Sequence, residues 1–144
     1  MATSRNITFY FNNQTAYDMV SDGVLNPWGD ESSGKFSKTP ATIKSYVPGI
    51  AFTACGDSDT DTGVTGAVNY WFVSVGQSLN SSKSNTKGSI TLYFSIAYDH
   101  NLYSNTWSHH NNTSFATATY SGFSSSADSV NVTATYTQAQ AAVG

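Results

Sequence analysis

Apolar and polar side chains alternate with a period of two along much of this chain. From Ser89 to Ala97, Ile90, Leu92, Phe94 and Ile96 alternate with Ser89, Thr91, Tyr93 and Ser95. That spacing puts an aliphatic set on one face of a strand and a hydroxyl-bearing set on the other. The same period appears at Arg5–Asn12, where Ile7, Phe9 and Phe11 oppose Thr8 and Tyr10, and at Ser129–Tyr136, where Val130, Val132, Ala134 and Tyr136 share a side. Ala16–Val20, Gly66–Val75 and Phe115–Tyr120 read as further strands, as does Thr42–Cys55 with a break at Val47-Pro48-Gly49. Ser21–Pro40 is dominated by turn formers, Gln77–Lys87 is polar and expected to be disordered, and Ser108–Asn112 is given no strand of its own. No segment has helical periodicity. Roughly seven or eight short strands with turns between them predict an all-β fold, a single-domain antiparallel β-sandwich over residues 1–144 with 137–144 as a frayed tail.

Beyond Ala97 the alternation stops. Tyr98, Tyr103 and Trp107 follow among Asp99, His100, Asn101, Ser104 and Asn105, a turn-forming setting in which large rings are hard to bury. Such rings have an apolar body and a polar tip, which suits a boundary between water and a less polar phase. They either cap the end of the sandwich or form a binding loop. Trp28, between Asn26-Pro27 and Gly29-Asp30, poses the same choice: a plug against the core, or a displayed ring.

Composition narrows the partners. Charged residues make up 10% of the 144 residues against a usual ~25%. The net charge is -3, and six Lys plus Arg are scattered, so no basic stripe exists for a phosphate backbone and nucleic acid is excluded as a natural partner. The single cysteine, Cys55, cannot form an intrachain disulfide and reads as a small buried hydrophobe. The N-terminus has no apolar stretch of signal-peptide length, so the chain is expected to be made soluble in the cytoplasm and released, acting outside the producing cell.

The sequence carries no catalytic motif: no nucleophile elbow, no Cys-centred signature, no His-Glu-x-x-His, and the expectation is a protein without enzymatic activity. Asp57, Asp59 and Asp61 imitate the opening of a calcium loop, but glycine arrives one place late at Gly63 and Val68 occupies the position of the bidentate Glu. His109 and His110 are adjacent, so on extended chain they face opposite ways, and with His100 they make a poor zinc set. No metal and no cofactor are expected.

Three stretches carry a family resemblance: FYFNNQTAY with the Asn26-Pro27-Trp28-Gly29 loop, ACGDSDTDTGVTGAV ending at Val68, and Leu92–Trp107. Together these resemble the aegerolysins, small β-sandwich proteins (aegerolysin/actinoporin-like), most closely the small component of bacterial binary insecticidal toxins. The resemblance covers nearly the whole chain. It implies a protein that recognises membrane lipid, typically a sphingolipid with or without sterol, and cooperates with a larger second component to open a pore. Carried over by position, it implies Trp28, Tyr98 and Trp107 as lipid-binding residues, and Tyr103, an exposed ring of the same loop by its own setting, completes the candidate lipid-binding set. Ala97 stands where the family commonly has proline, which implies a less rigid loop, and Thr62 stands where some members carry an acidic residue, so lipid preference does not transfer. Two other readings of the same rings stay open: a carbohydrate-binding module, and a lysin that acts alone.

Overall fold

The computed structural model describes residues 5–57 and 62–138. Among them are nine strands and no helix: β1 (Asn6–Gln14), β2 (Tyr17–Ser21), β3 (Lys35–Lys38), β4 (Pro48–Cys55), β5 (Val64–Ser74), β6 (Thr86–Ile96), β7 (Thr106–Asn112), β8 (Ala116–Ser121) and β9 (Ser129–Gln138). They form a five-stranded sheet in the order β3-β4-β1-β9-β8 and a four-stranded sheet in the order β2-β5-β6-β7. The two pack face to face as the expected sandwich. Every pairing is antiparallel except β1 with β9, which run parallel from Asn6 opposite Ser129 to Gln14 opposite Thr137.

The period-two pattern is what fills the space between the sheets. Ile7, Phe9 and Phe11 of β1, Leu92 and Phe94 of β6, and Val132 and Ala134 of β9 are all fully buried. Phe9 sits at the centre, with ring centroids 5.0 Å from Phe52 and 5.9 Å from Phe94. Aromatic pairs at such separations add about 0.5–1.5 kcal/mol each beyond their buried area. Cys55 is buried, as its sequence context suggests.

Two strands are absent from the sequence reading, β3 and β7. β7 occupies the stretch Ser108–Asn112 and two residues before it, paired along its length with β6. The 77–87 loop, expected to be disordered, is instead cross-tied: Asn80 Oδ1 accepts the Ser84 N–H at 2.9 Å and Asn85 Nδ2 donates to Ser78 O at 2.7 Å. β9 runs on through Thr137 and Gln138, which pair with Thr117 and Ala116, while residues 139–144 lie outside the described residues.

Two tyrosines, Tyr70 and Tyr136, are buried in this core, and a third, Tyr120, packs against it at the rim. Tyr70 donates to Ala41 O at 2.9 Å, and the Tyr120 and Tyr136 hydroxyls lie 3.1 Å apart. Burial raises the pKa of all three above the ordinary value of 10.0. Because the folded chain holds these protons more tightly than the unfolded one, their contribution to stability is intact below about pH 10 and is lost as pH rises beyond it. Alkaline titration is therefore expected to ionise the exposed tyrosines first, and these three only together with loss of near-ultraviolet circular dichroism. A single smooth ionisation near pH 10 with the dichroism intact would contradict the burial.

Candidate functional site

At one end of the sandwich, on the outer face of the four-stranded sheet, lies an open cleft of about 570 Å³. Its floor follows from strand register. Thr65 of β5, Ser95 of β6 and Thr106 of β7 are consecutive partners across the sheet. They belong to the polar half of the period-two pattern, since the neighbours Val64, Phe94 and Ile96 point into the core. The floor is thus a row of hydroxyls, with Thr65 Oγ1 and Ser95 Oγ 2.8 Å apart.

One wall comes from the 25–33 segment. Asn26 and Ser33 exchange backbone hydrogen bonds with Ala67 and Thr65 along β5. Gly66 leaves the space this needs, because a Cβ there would fall 2.6 Å from Leu25 Cδ1 and 2.9 Å from Asn26 O. Between the two anchors, Trp28 and Glu31 bond to each other across a two-residue turn. Gly29 takes φ +66 at its first central position, a value glycine adopts without strain. The turn sets Glu31 on the cleft wall and lays Trp28 over Tyr93, ring centroids 5.8 Å apart.

The opposite wall is the 97–105 turn. Asp99 organises it: its Oδ1 accepts the Asn101 N–H at 2.9 Å, and its backbone carbonyl accepts the N–H groups of Leu102 and Tyr103. This fold-back drives Leu102 and Tyr103 outward, to 71% and 68% exposure. Tyr98 is held differently. The Arg5 guanidinium donates to Tyr98 O at 3.0 and 2.8 Å and lies 4.5 Å over its ring. One ring face is thereby occupied within the molecule. Beneath the turn, the buried Asn105 side chain donates to Ser124 O and Ala127 O at 3.0 and 2.8 Å. Its Oδ1 accepts from Ala97 N at 2.9 Å and from His100 Nε2 at 2.8 Å. His100 Nδ1 and Arg5 Nη1 both reach the Asp128 carboxylate, at 3.2 and 3.4 Å.

Of the four rings singled out from sequence, Tyr98 and Tyr103 line the cleft and Trp28 lies next to it on the same sheet face. Trp107 does not join them. It stands opposite Phe94 on the core side of β7, half-buried, with its centroid 5.8 Å from Phe9 and 4.8 Å from Tyr120. The expected loop position is corrected: Trp107 belongs to strand β7 and packs inward, away from the cleft. Leu102 and Glu31 were missed. An aliphatic residue in an otherwise polar turn was the available signal for Leu102, whereas nothing local marks Glu31. Asp59 and Asp61 of the calcium-like stretch lie outside the described residues, and among the described residues no group of three His, Cys, Asp or Glu converges. His109 stacks on Tyr120 at 4.3 Å.

No protein-family model and no curated protein sequence matches this chain. Its fold is similar to those of several solved structures, two of which align as follows. The RahU protein, determined in complex with a TRIS molecule, aligns with a TM-score of 0.63 at 14% identity, over 97% of this chain and 98% of RahU. The lipid binding protein Nakanori aligns with a TM-score of 0.60 at 9% identity, over 94% of this chain and 72% of Nakanori. At these identities the likeness is one of fold: the chain shares its β-sandwich with a lipid binding protein.

Proposed function

We propose that this chain is a membrane-lipid-recognising member of the aegerolysins, and that it reads a sphingolipid at the cleft between Glu31 and the 97–105 turn. The observation that carries the reading is the pairing of two surfaces at one end of the molecule. Leu102 and Tyr103 form an exposed apolar tip on a hydrogen-bonded turn, and a hydroxyl-floored cleft opens beside it. A lipid headgroup region presents the matching pair, polar groups over an apolar layer. Fully burying a Leu side chain is worth about 1.5–3 kcal/mol, so the tip supplies a membrane anchor. The hydroxyls with Glu31 and Asp99 suit an ammonium-bearing headgroup. The fold shared with Nakanori supports lipid as the ligand, and the TRIS molecule held by RahU, a polyhydroxy amine, fits the same donor chemistry. In the fuller form of this reading the chain is the small component of a two-component pore-forming insecticidal toxin. It acts outside the producing cell and cooperates with a larger partner protein once the membrane is engaged. Its role is binding rather than catalysis.

The test is co-sedimentation with phosphatidylcholine vesicles against vesicles carrying ceramide phosphoethanolamine or sphingomyelin, each with and without sterol. Selective pelleting with sphingolipid is expected. The double variant Leu102→Ser/Tyr103→Ala is expected to weaken pelleting at least about tenfold, the equivalent of 1.4 kcal/mol, with an unchanged thermal transition. Low charge predicts that pelleting changes little with salt. Failure of the wild-type chain to pellet with any vesicle would overturn the reading; saturable glycan binding abolished by free sugar would put the carbohydrate module in its place.

A further inference from the structure

The two open sides of the sandwich are built differently. On one side the edges are blunted in ways that discourage pairing with another chain. β3 has four residues, carries Lys35 and Lys38 and slips register against β4, while β2 is only five residues long and the 25–33 segment continues along β5 beyond it. On the other side β7 and β8 lie next to each other as the edges of the two sheets, seven and six residues long. Each pairs with its inner neighbour without a register shift. Neither segment, 106–112 or 116–121, contains Lys, Arg, Asp, Glu or Pro. Between them runs a groove of about 710 Å³ lined by Trp107, His109, Ala118 and Tyr120. Among the described residues no strand pairs with the outer edge of β7 or β8.

We propose that this side is an interface between two copies of the chain, joined edge to edge about a twofold axis. β7 pairs antiparallel with β7 of the second copy and β8 with its β8, so both sheets run on across the junction. The groove decides the occupant. A lone extended peptide would satisfy one edge and leave the other bare, whereas a second sandwich offers two edges at the same spacing and closes the aromatic groove between them. The absence of fixed charge points the same way: identical surfaces meet here without like-charge repulsion, and a foreign partner has nothing to be steered by. With the axis at His109, Ser108 faces His110 and Thr106 faces Asn112 of the other copy, pairs that can exchange hydrogen bonds. The interface is separate from the lipid reading of the cleft and does not depend on it.

Sedimentation velocity on the purified chain at up to roughly 100 µM is expected to give a concentration-dependent dimer. Hydrogen exchange is expected to slow along 106–112 and 116–121 as concentration rises. The variant Ser108→Lys/Thr119→Lys, with charge on two exposed positions of these edges, is expected to be monomeric with the wild-type thermal transition. If that variant fails to fold, Ser108→Asp alone is read in the same way. A wild-type monomer throughout that range, a dimer protected elsewhere, or a dimer that survives the charged variants overturns the proposal. Protection of β7 that appears only on adding another protein also overturns it, and gives the edge to a foreign strand.

Discussion

Replacing Trp107 with alanine is expected to cost about 2–4 kcal/mol of stability, lowering the thermal midpoint by roughly 8–16 °C. The indole is half-buried and packs with Phe9, Tyr120 and Phe123 at 5.8, 4.8 and 6.4 Å between centroids. Its removal therefore opens the rim of the core at a point where both sheets meet. Truncating fully buried aromatics costs about 3–5 kcal/mol, and the partial exposure of Trp107 brings the expectation below that. Trp107→Phe keeps most of the apolar contact and should recover at least half the loss. Vesicle pelleting per folded molecule should be unchanged in both variants, measured well below their midpoints. A Trp107→Ala chain that melts like wild type but no longer pellets would put this ring back in the lipid site.

The difference between Trp107 and Tyr103 was beyond sequence reasoning because β7 hides its own period. Its core-side positions are Trp107, His109 and Asn111, and its outer positions are Ser108, His110 and Asn112, so polarity does not separate the two faces. β1, β6 and β9 were readable because runs of inward positions, Ile7 to Phe11, Ile90 to Ile96 and Val130 to Tyr136, are apolar and the outward ones mostly hydroxyl or amide. β3 has one apolar residue, Phe36, in four and no period to detect. The parallel pairing of β1 with β9 joins opposite ends of the chain, a choice set by packing both strands over one core and not by anything local to either. The site divides the same way. Turn chemistry around Asp99 marked Tyr98 and Tyr103 as exposed candidates, and the outer hydroxyls of β6 were legible as a wet face. That the wet face becomes a cleft depends on the Trp28–Glu31 turn being laid across β5, which requires Gly66 and two backbone bridges.

Asn105→Ala is expected to be at least as damaging as Trp107→Ala, at about 3–5 kcal/mol, and to impair lipid binding as well. The amide is 3% exposed, and it joins three segments: the end of β6 through Ala97 N, the turn through His100, and the 122–128 loop through Ser124 O and Ala127 O. Truncation leaves an N–H and two carbonyls without their partners in a partly buried place, where a fully buried group would lose about 1–3 kcal/mol. Asn105→Asp separates hydrogen bonding from shape. The side chain is nearly isosteric, but oxygen replaces the nitrogen that donates to two carbonyls, so the variant should fare no better than alanine. A thermal midpoint close to wild type for Asn105→Asp would mean that filling the space, not the amide's donors, holds the turn. Ala97 belongs to the same network. The resemblance implied that its substitution for proline loosens this loop, yet the N–H that proline lacks is the one Asn105 accepts. The turn is fastened by that hydrogen bond in place of a ring. For that reason, loss of the Asn105 amide should raise amide exchange across 97–105 and 124–127 first, and should weaken sphingolipid pelleting at least about tenfold at temperatures where the rest of the sandwich is still folded.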